Sequence, residues 1–303
     1  MAHDAFGWVR RDSATPVSST ESVWVLPVAD VPACRARLLG DLGRPELAFP
    51  AENRQIDVRR VEGFTCVLFT SRIFWAWDRR EGTNLILVHQ GDADERLHPA
   101  SQSSLTLMLS EHMLSRGWSL CHAGGVDLGG RRVLVAGASG SGKSTVVAAL
   151  WQAGGRLLSD DLCLINAPGR PVTILGLLEP LHLCRDTRGA LAEVVAADAP
   201  IMPGRGKVRV DPAAVRPDSI IDRLDPDLLL FPCCDGSDPH LVEPSRDEAF
   251  LRLSAACQFL PDHGRHPVVH RAVNAVLDRT HWYRLHTGPR IDRIPEVIRH
   301  APA

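Results

Sequence analysis

"RRVLVAGASGSGKSTVVAALWQAGGRLLSDD", residues 131–161, decides how the rest of the chain is read. An apolar, strand-like run meets a glycine-rich loop, and a helical pattern follows. The loop "GASGSGKST" (137–145) fits G-x-x-x-x-G-K-[ST] at Gly137, Gly142, Lys143 and Ser144. Its glycines let successive backbone N–H groups turn inward around a β-phosphate, and the helix N-terminus adds partial positive charge there. Lys143 supplies a point charge for the β- and γ-phosphates, and the Ser144 hydroxyl is the expected Mg2+ ligand. Ala138, Ser139, Gly140, Ser141 and Thr145 complete the cradle expected to hold ATP.

A phosphate cradle alone fits a motor, a switch or a kinase. The acids that would complete a site lie one helix later, where "LLSDD" ends the next strand-like run and places Asp160 and Asp161 beside the phosphates. One carboxylate can order a Mg2+-bound water, and the other can accept the proton of an attacking hydroxyl. Two adjacent acids can also do no more than cap a turn. The other apolar run, "DPDLLLFP" (225–232), ends without an acid. An N-K-x-D guanine-reading motif and an L-S-G-G-Q signature are both absent, which argues against a GTPase switch and a transporter ATPase.

Working outward, residues 1–20 are polar, and residues 21–90 carry short β-type runs: "SVWVLPV", "RQIDVRRV", "FTCVLFT", "RIFWAW" and "NLILVHQ". One helix is expected at 31–42. "GDADERLHPAS" (91–101) reads as a linker and 103–117 as a helix whose apolar face carries Leu105, Met108, Leu109, His112 and Met113. The boundary falls near 100, giving a β-rich module (1–100) and an α/β domain (101–303). In the latter, "SLCHAGGVDLGGRRVLVAG" reads as two strands around a "DLGG" turn, and "RLLSDDLCLIN" as one strand. Ser245 and Glu248 form a capping-box signature, a further helix covers 268–279, and "WYRLHTG" is a late strand.

Composition narrows the partners. The chain has 303 residues, a net charge of −2 and 45% hydrophobic residues. It lacks the broad basic field that nucleic acid or an anionic membrane requires, and no run approaches the ~18 apolar residues of a membrane span. The eight cysteines include no C-x-x-C pair, and the adjacent Cys233–Cys234 is a poor metal clamp. A reduced cytoplasm is the expected compartment.

Residues 121–165, "CHAGGVDLGGRRVLVAGASGSGKSTVVAALWQAGGRLLSDDLCLI", resemble the catalytic core of the HPr kinase/phosphorylase family. The resemblance has four parts: His122 opening "HAGGV", the loop ending in "GKS", a helix running to Gly154, Gly155 and Arg156, and the pair Asp160–Asp161. It implies a phosphoenolpyruvate-carboxykinase-like P-loop core and an ATP- and Mg2+-dependent kinase. Asp161 would be the base for an acceptor serine, Asp160 would support the metal, and His122 would lie near the γ-phosphate. "MPGRGKVRV" resembles the family's P-G-R loop at Pro203, Gly204 and Arg205, so Arg205 would reach the transferring phosphate, with Lys207 as an added cation. Where the family carries a metal-binding Glu, this chain reads "VTILGLLEPLHLCRDTRGAL"; Glu179 is a loose candidate for it. That departure puts phosphorolysis, and HPr as substrate, in doubt. The pattern looks closer to shorter relatives found with ribosomal-peptide (including lasso-peptide) biosynthesis, so the acceptor expected is a serine of a small protein or peptide. The first hundred residues carry no such match; substrate recognition or self-assembly is the role left for them. A small-molecule hydroxyl kinase and a nucleotide-binding regulator that transfers nothing stay open as alternatives.

Overall fold

The computed structural model describes residues 22–39, 47–51, 54–61, 64–70, 73–78, 83–89, 99–166, 172–187, 189–195 and 206–302. The fold is mixed α/β, and its contacts divide the chain between Leu109 and Ser110.

The first unit is built from β1 (Ser22–Val28), α1 (Val31–Leu39), β2 (Leu47–Ala51), β3 (Arg54–Val61), β4 (Phe64–Thr70), β5 (Ile73–Asp78) and β6 (Thr83–His89). One sheet results, in the order β1-β6-β5-β4-β3-β2. β2 to β6 form an antiparallel meander, as closely spaced strands permit, and β1 returns parallel to β6. The Asp30 carboxylate accepts the Ala33 N–H at 2.9 Å and so caps α1. Val31 packs with Cys66, Phe74, Ala76 and Leu87 under it. Pro27 and Pro50 sit in β1 and β2, the two edge strands, where a missing N–H interrupts no interior ladder. Residues 40–42 of the expected helix lie outside the described residues, as do the polar N-terminus (1–21), most of the linker (91–98) and the "APGRP" turn (167–171).

α2 (Pro99–Ser115) ends before Gly117, whose φ of +81° stops it. Its burial is wider than one apolar stripe, because Ser110 and Glu111 are buried as well. Both bond the buried His263. Nδ1 accepts the Leu260 N–H at 3.3 Å and lies 3.2 Å from the Ser110 hydroxyl, so the ring proton resides on Nε2 and is donated to Glu111 at 2.9 Å.

The second unit continues with β7 (Trp118–Cys121), β8 (Ala123–Leu128), β9 (Arg131–Ala136), α3 (Lys143–Gln152), β10 (Arg156–Ser159), β11 (Leu162–Asn166), β12 (Thr173–Leu177), β13 (Leu181–Cys184) and β14 (Lys207–Val210). There follow α4 (Pro212–Val215), β15 (Arg223–Leu224), β16 (Leu228–Cys234), β17 (His240–Val242), α5 (Arg246–Ala256), α6 (Pro267–Leu277), β18 (His281–Thr287) and α7 (Ile294–Arg299). The main sheet runs β10-β8-β9-β16-β18-β17, with β9, β16 and β18 mutually parallel. A second sheet runs β15-β12-β11-β7, and β13–β14 form a separate antiparallel pair.

The central strands are apolar throughout because both faces of the sheet are covered. Val133 and Val135 of β9 face a core filled by α3 from Val146 to Trp151, together with β13, β14 and α7. Leu134 and Ala136 face the opposite core, shared with α5, α6 and the second sheet. The Ser245 hydroxyl accepts the Glu248 N–H at 3.2 Å, one half of the expected capping box. The Glu248 carboxylate instead takes the Arg252 Nε–H at 2.8 Å.

Two readings are corrected. "SLCHAGGVDLGGRRVLVAG" is three strands, and "RLLSDDLCLIN" is two. β7 and β11 pair in the second sheet, while β8 and β10 pair in the main one. Within these two stretches the chain therefore changes sheets at His122 and again at Asp160–Asp161. The two crossings are neighbours, bracketed by the pairs Cys121↔Cys163 and Gly125↔Ser159. This crease tolerates no bulk. A Cβ on Gly124 would stand 2.7 Å from Val147 Cγ2, 2.8 Å from the Ser159 carbonyl oxygen and 3.0 Å from that of Asp160.

Gly124→Ala is expected to destabilise the protein by about 1–3 kcal/mol, because two of the obstructing atoms are backbone and cannot turn aside. Gly189→Ala, with open space around its Cβ, is the control and should stay within about 0.5 kcal/mol of the parent. Urea unfolding of both variants measures this, and equal stabilities would refute the close-approach argument.

Candidate active site

The glycine-rich loop leaves the C-terminal end of β9 and enters α3 through Gly142, at φ +100° and ψ 9°. Only glycine suits this position: the backbone is left-handed, and a Cβ would meet Cys234 Sγ at 2.6 Å. No side chain caps the helix. Its first N–H groups are thus left to an anion, with the helix dipole behind them. Lys143, only 5% exposed, donates to the carbonyl oxygens of Gly137 at 2.9 Å and Ala138 at 3.2 Å. Burial lowers its pKa, and the charges of Asp161 and Asp160 pull the other way. Ala138, Ser139 and Gly140 are exposed along the loop; Ser141, Ser144 and Thr145 are half-buried.

The sheet crossings bring the acids and the imidazole to this loop. His122 Nε2 and Asp161 Oδ1 are 2.5 Å apart. His122 is fixed from behind, its own N–H donating to the Ala256 carbonyl at 2.7 Å. Burial works to raise the Asp161 carboxyl, but the hydrogen bond and charge of His122, then Lys143 and His182, outweigh it, and its pKa falls below the ordinary carboxylate value. Asp161 is therefore an anion at neutral pH.

Asp160 behaves in the opposite way. It is 5% exposed, and burial raises its pKa from 3.8 to about 6, assisted by Asp161 and opposed by the Ser144 hydroxyl, Lys143 and the His182 N–H. Its Oδ1 is buried without a hydrogen-bond partner. An orphaned carboxylate oxygen beside a serine hydroxyl, at the glycine-rich loop, is a donor set of hard oxygens that fits Mg2+. Glu179 lies between β12 and β13, near enough for the charge of Asp161 to act on it. Burial raises its pKa, and the charge of Asp161 acts in the same direction, so it borders the site without sharing the pair's hydrogen bond.

Arg205, with Pro203 and Gly204, lies outside the described residues. Lys207, which opens β14, is close enough for its charge to bear on Lys143. His182 and Cys234 were not singled out from the sequence. His182 enters from β13, and its N–H bonds Asp160; nothing near it in the sequence announces this. Cys234 ends β16 with its Sγ 3.2 Å from the Ser141 carbonyl oxygen, a contact set by the parallel pairing of β9 with β16.

No family model matches the chain, and no curated protein matches it. Among solved structures it is similar to the HPr(Ser) kinase/phosphatase from Coxiella burnetii, at 12% identity and a TM-score of 0.31, over 59% of this chain and 93% of that one. That is a distant structural relationship, and it fixes neither an activity nor the residues of a site. Among the described residues no helix is long and apolar enough to cross a membrane.

The raised pKa of Asp160 has a signed consequence. Folding favours its neutral form, so its contribution to stability is complete below pH 3.8 and is lost as pH rises through about 6. The full contribution is about 3 kcal/mol, of which about half disappears between pH 5 and pH 8. In chelator-treated protein, urea unfolding should show wild type losing that amount relative to Asp160→Asn over this range. Parallel curves would sink the assignment. Added Mg2+ should bind more tightly as pH passes 6, because the carboxylate then no longer has to give up a proton.

Proposed function

We propose that the chain is an ATP- and Mg2+-dependent kinase that phosphorylates a hydroxyl, most specifically a serine of a small protein or peptide. The observation that supports this reading above the others is the division of labour within one acid pair. Asp160 is buried, bonded to Ser144 and has a spare oxygen. Asp161 is ionised, held by His122 and half exposed. A protein that only binds nucleotide has no use for the second of these.

In this reading the loop N–H groups and Lys143 hold the β- and γ-phosphates. Ser144 and Asp160 would hold Mg2+, which supplies neutralising charge to the transferring phosphoryl group. His122 occupies Asp161 Oδ1 and turns the other oxygen toward the acceptor. Asp161 takes the hydroxyl proton as the oxygen–phosphorus bond forms, and the bond between the γ-phosphorus and the bridging oxygen breaks to release ADP. The lowered pKa of Asp161 suits this timing, since the proton leaves the hydroxyl only as that oxygen bonds to phosphorus. Lys207 would supply a further cation to the spreading charge, a role that the family resemblance also gives to Arg205. The eight cysteines, all free, are compatible with a reducing cytoplasm. The N-terminal sheet is left for substrate recognition or self-assembly.

The test is transfer from γ-labelled ATP, with Mg2+, to serine-containing peptides and to small hydroxyl compounds. Asp161→Asn should keep nucleotide affinity within about twofold and lose about 10²–10⁴ in transfer rate; Lys143→Ala should lose both. Label confined to small compounds would replace the peptide acceptor. Tight nucleotide binding with no transfer to any acceptor would overturn the kinase reading, and full transfer by Asp161→Asn would overturn the assignment of the base.

A further inference from the structure

A second constellation lies at the C-terminal ends of β16 and β18, outside the acid pair. Cys233, Asp235 and His286 offer a thiol, a carboxylate and an imidazole whose donor atoms all lie within 4.8 Å of one another. Among the described residues no other three His, Cys, Asp or Glu side chains converge in this way. The fold builds the arrangement. Cys233 and His286 are direct partners in the parallel β16–β18 ladder, so their side chains emerge together. The turn after β16 is then drawn onto the end of β18, with the N–H groups of Asp235 and Gly236 both donating to the Thr287 carbonyl at 3.2 Å. The two turns touch so closely that a Cβ on Gly288 would lie 2.6 Å from the Gly236 carbonyl.

The hydrogen bonds orient the donors. Asp235 Oδ1 accepts the Ser237 N–H at 3.0 Å and its hydroxyl at 2.6 Å, which turns Oδ2 toward His286 Nδ1 at 2.5 Å. His286 Nε2 is buried with no hydrogen-bond partner. The ring is held flat beneath His240, stacked at 4.6 Å between centroids and 13° between planes. The His286 Nδ1, the Asp235 Oδ2 that faces it and the half-buried Cys233 thiol make a mixed sulfur–nitrogen–oxygen donor set. Tetrahedral zinc, with ~2.3 Å bonds to sulfur and ~2.0–2.2 Å bonds to nitrogen and oxygen, needs its ligands about 3.3–3.8 Å apart. An ion would take the place of the proton shared between Asp235 Oδ2 and His286 Nδ1, which would part from 2.5 Å to that spacing. Mg2+ and Ca2+ prefer all-oxygen sites and would not select this one.

We infer that Cys233, Asp235 and His286 form a Zn2+ site with one position open to water. Binding deprotonates Cys233, its proton passing to solvent, and moves the imidazole proton of His286 from Nδ1 to Nε2. The ion ties the end of β16 to the end of β18, directly beside the Cys234 that rests on the glycine-rich loop. This site stands whether or not the kinase reading holds, because it uses none of the same residues.

Co2+ serves as the spectroscopic probe, added to the untagged, chelator-stripped full chain. One equivalent should give a thiolate-to-cobalt charge-transfer band that Zn2+ abolishes. Cys233→Ser should remove the band, and Asp235→Asn and His286→Ala should each weaken Zn2+ at least tenfold in competition with a chromophoric chelator. Asp235 is exposed, and urea unfolding of its variant checks that the fold is kept. Cys234→Ser should retain the band. No thiolate band in wild type would overturn the site and leave an Asp235–His286 ion pair only. Loss of the band in Cys234→Ser would overturn the donor assignment in favour of the neighbouring thiol.

Discussion

The constraint on which the second unit depends is the close approach at Gly124. The strand after His122 lies against both α3 and the backbone of residues 159–160, with no room for a side chain. That approach lets two sheets share a crease, and the crease holds the candidate site. His122 belongs to one crossing and the acid pair to the other. The loop from β9 opens beside them because β9 is the hairpin partner of β8. A small residue chosen for packing thus determines where three chemical groups meet. The geometry is rigid, since both crossings are pinned by ladders on either side.

The crease also explains why two adjacent aspartates behave differently. A residue that leaves a strand between two sheets has one neighbour turned inward and one outward. Asp160 turns inward, where desolvation favours its neutral acid. Asp161 turns toward His122 and solvent, where its anion is favoured. Environments that push the affinities of paired carboxyls apart also assign them different work. A divalent cation at Asp160 would remove the desolvation cost that its ionisation otherwise carries, so metal binding and the protonation state of the pair are one equilibrium.

Much of this was legible in the chain. The strand, loop and helix of 131–152 follow from local pattern, and the spacing of His122 and Asp161 about Lys143 drew attention to the residues that the structure brings together. The sheet crossings were not legible. "RLLSDDLCLIN" is uniformly strand-like, and no local signal says that its two halves pair in different sheets, because sheet membership is decided by partners distant in sequence. The same holds for His182, which reaches Asp160 only through the β13–β14 pair. Glu179 was selected by position along the chain, and the structure sets it beside the Ser144–Asp160 pair without joining it. The width of α2's burial was missed for a related reason: Ser110 and Glu111 read as polar, yet their partner, His263, lies about 150 residues away.

The two proposed cation sites differ in their donor chemistry. Around Ser144 and Asp160 the donors are oxygens alone. Around Cys233, Asp235 and His286 a thiolate and an imidazole enter, and affinity for these rises steeply toward zinc. The sorting follows from the sheet. β10 ends at the crease among hydroxyl and carboxyl groups, whereas β16 and β18 end where a thiol and an imidazole stand in register. Cys234 faces the loop and its neighbour Cys233 faces away, as alternation along a strand requires. The period of a single strand thereby separates the contact with the glycine-rich loop from the thiol donor by one residue, while the backbone of β16 joins the two.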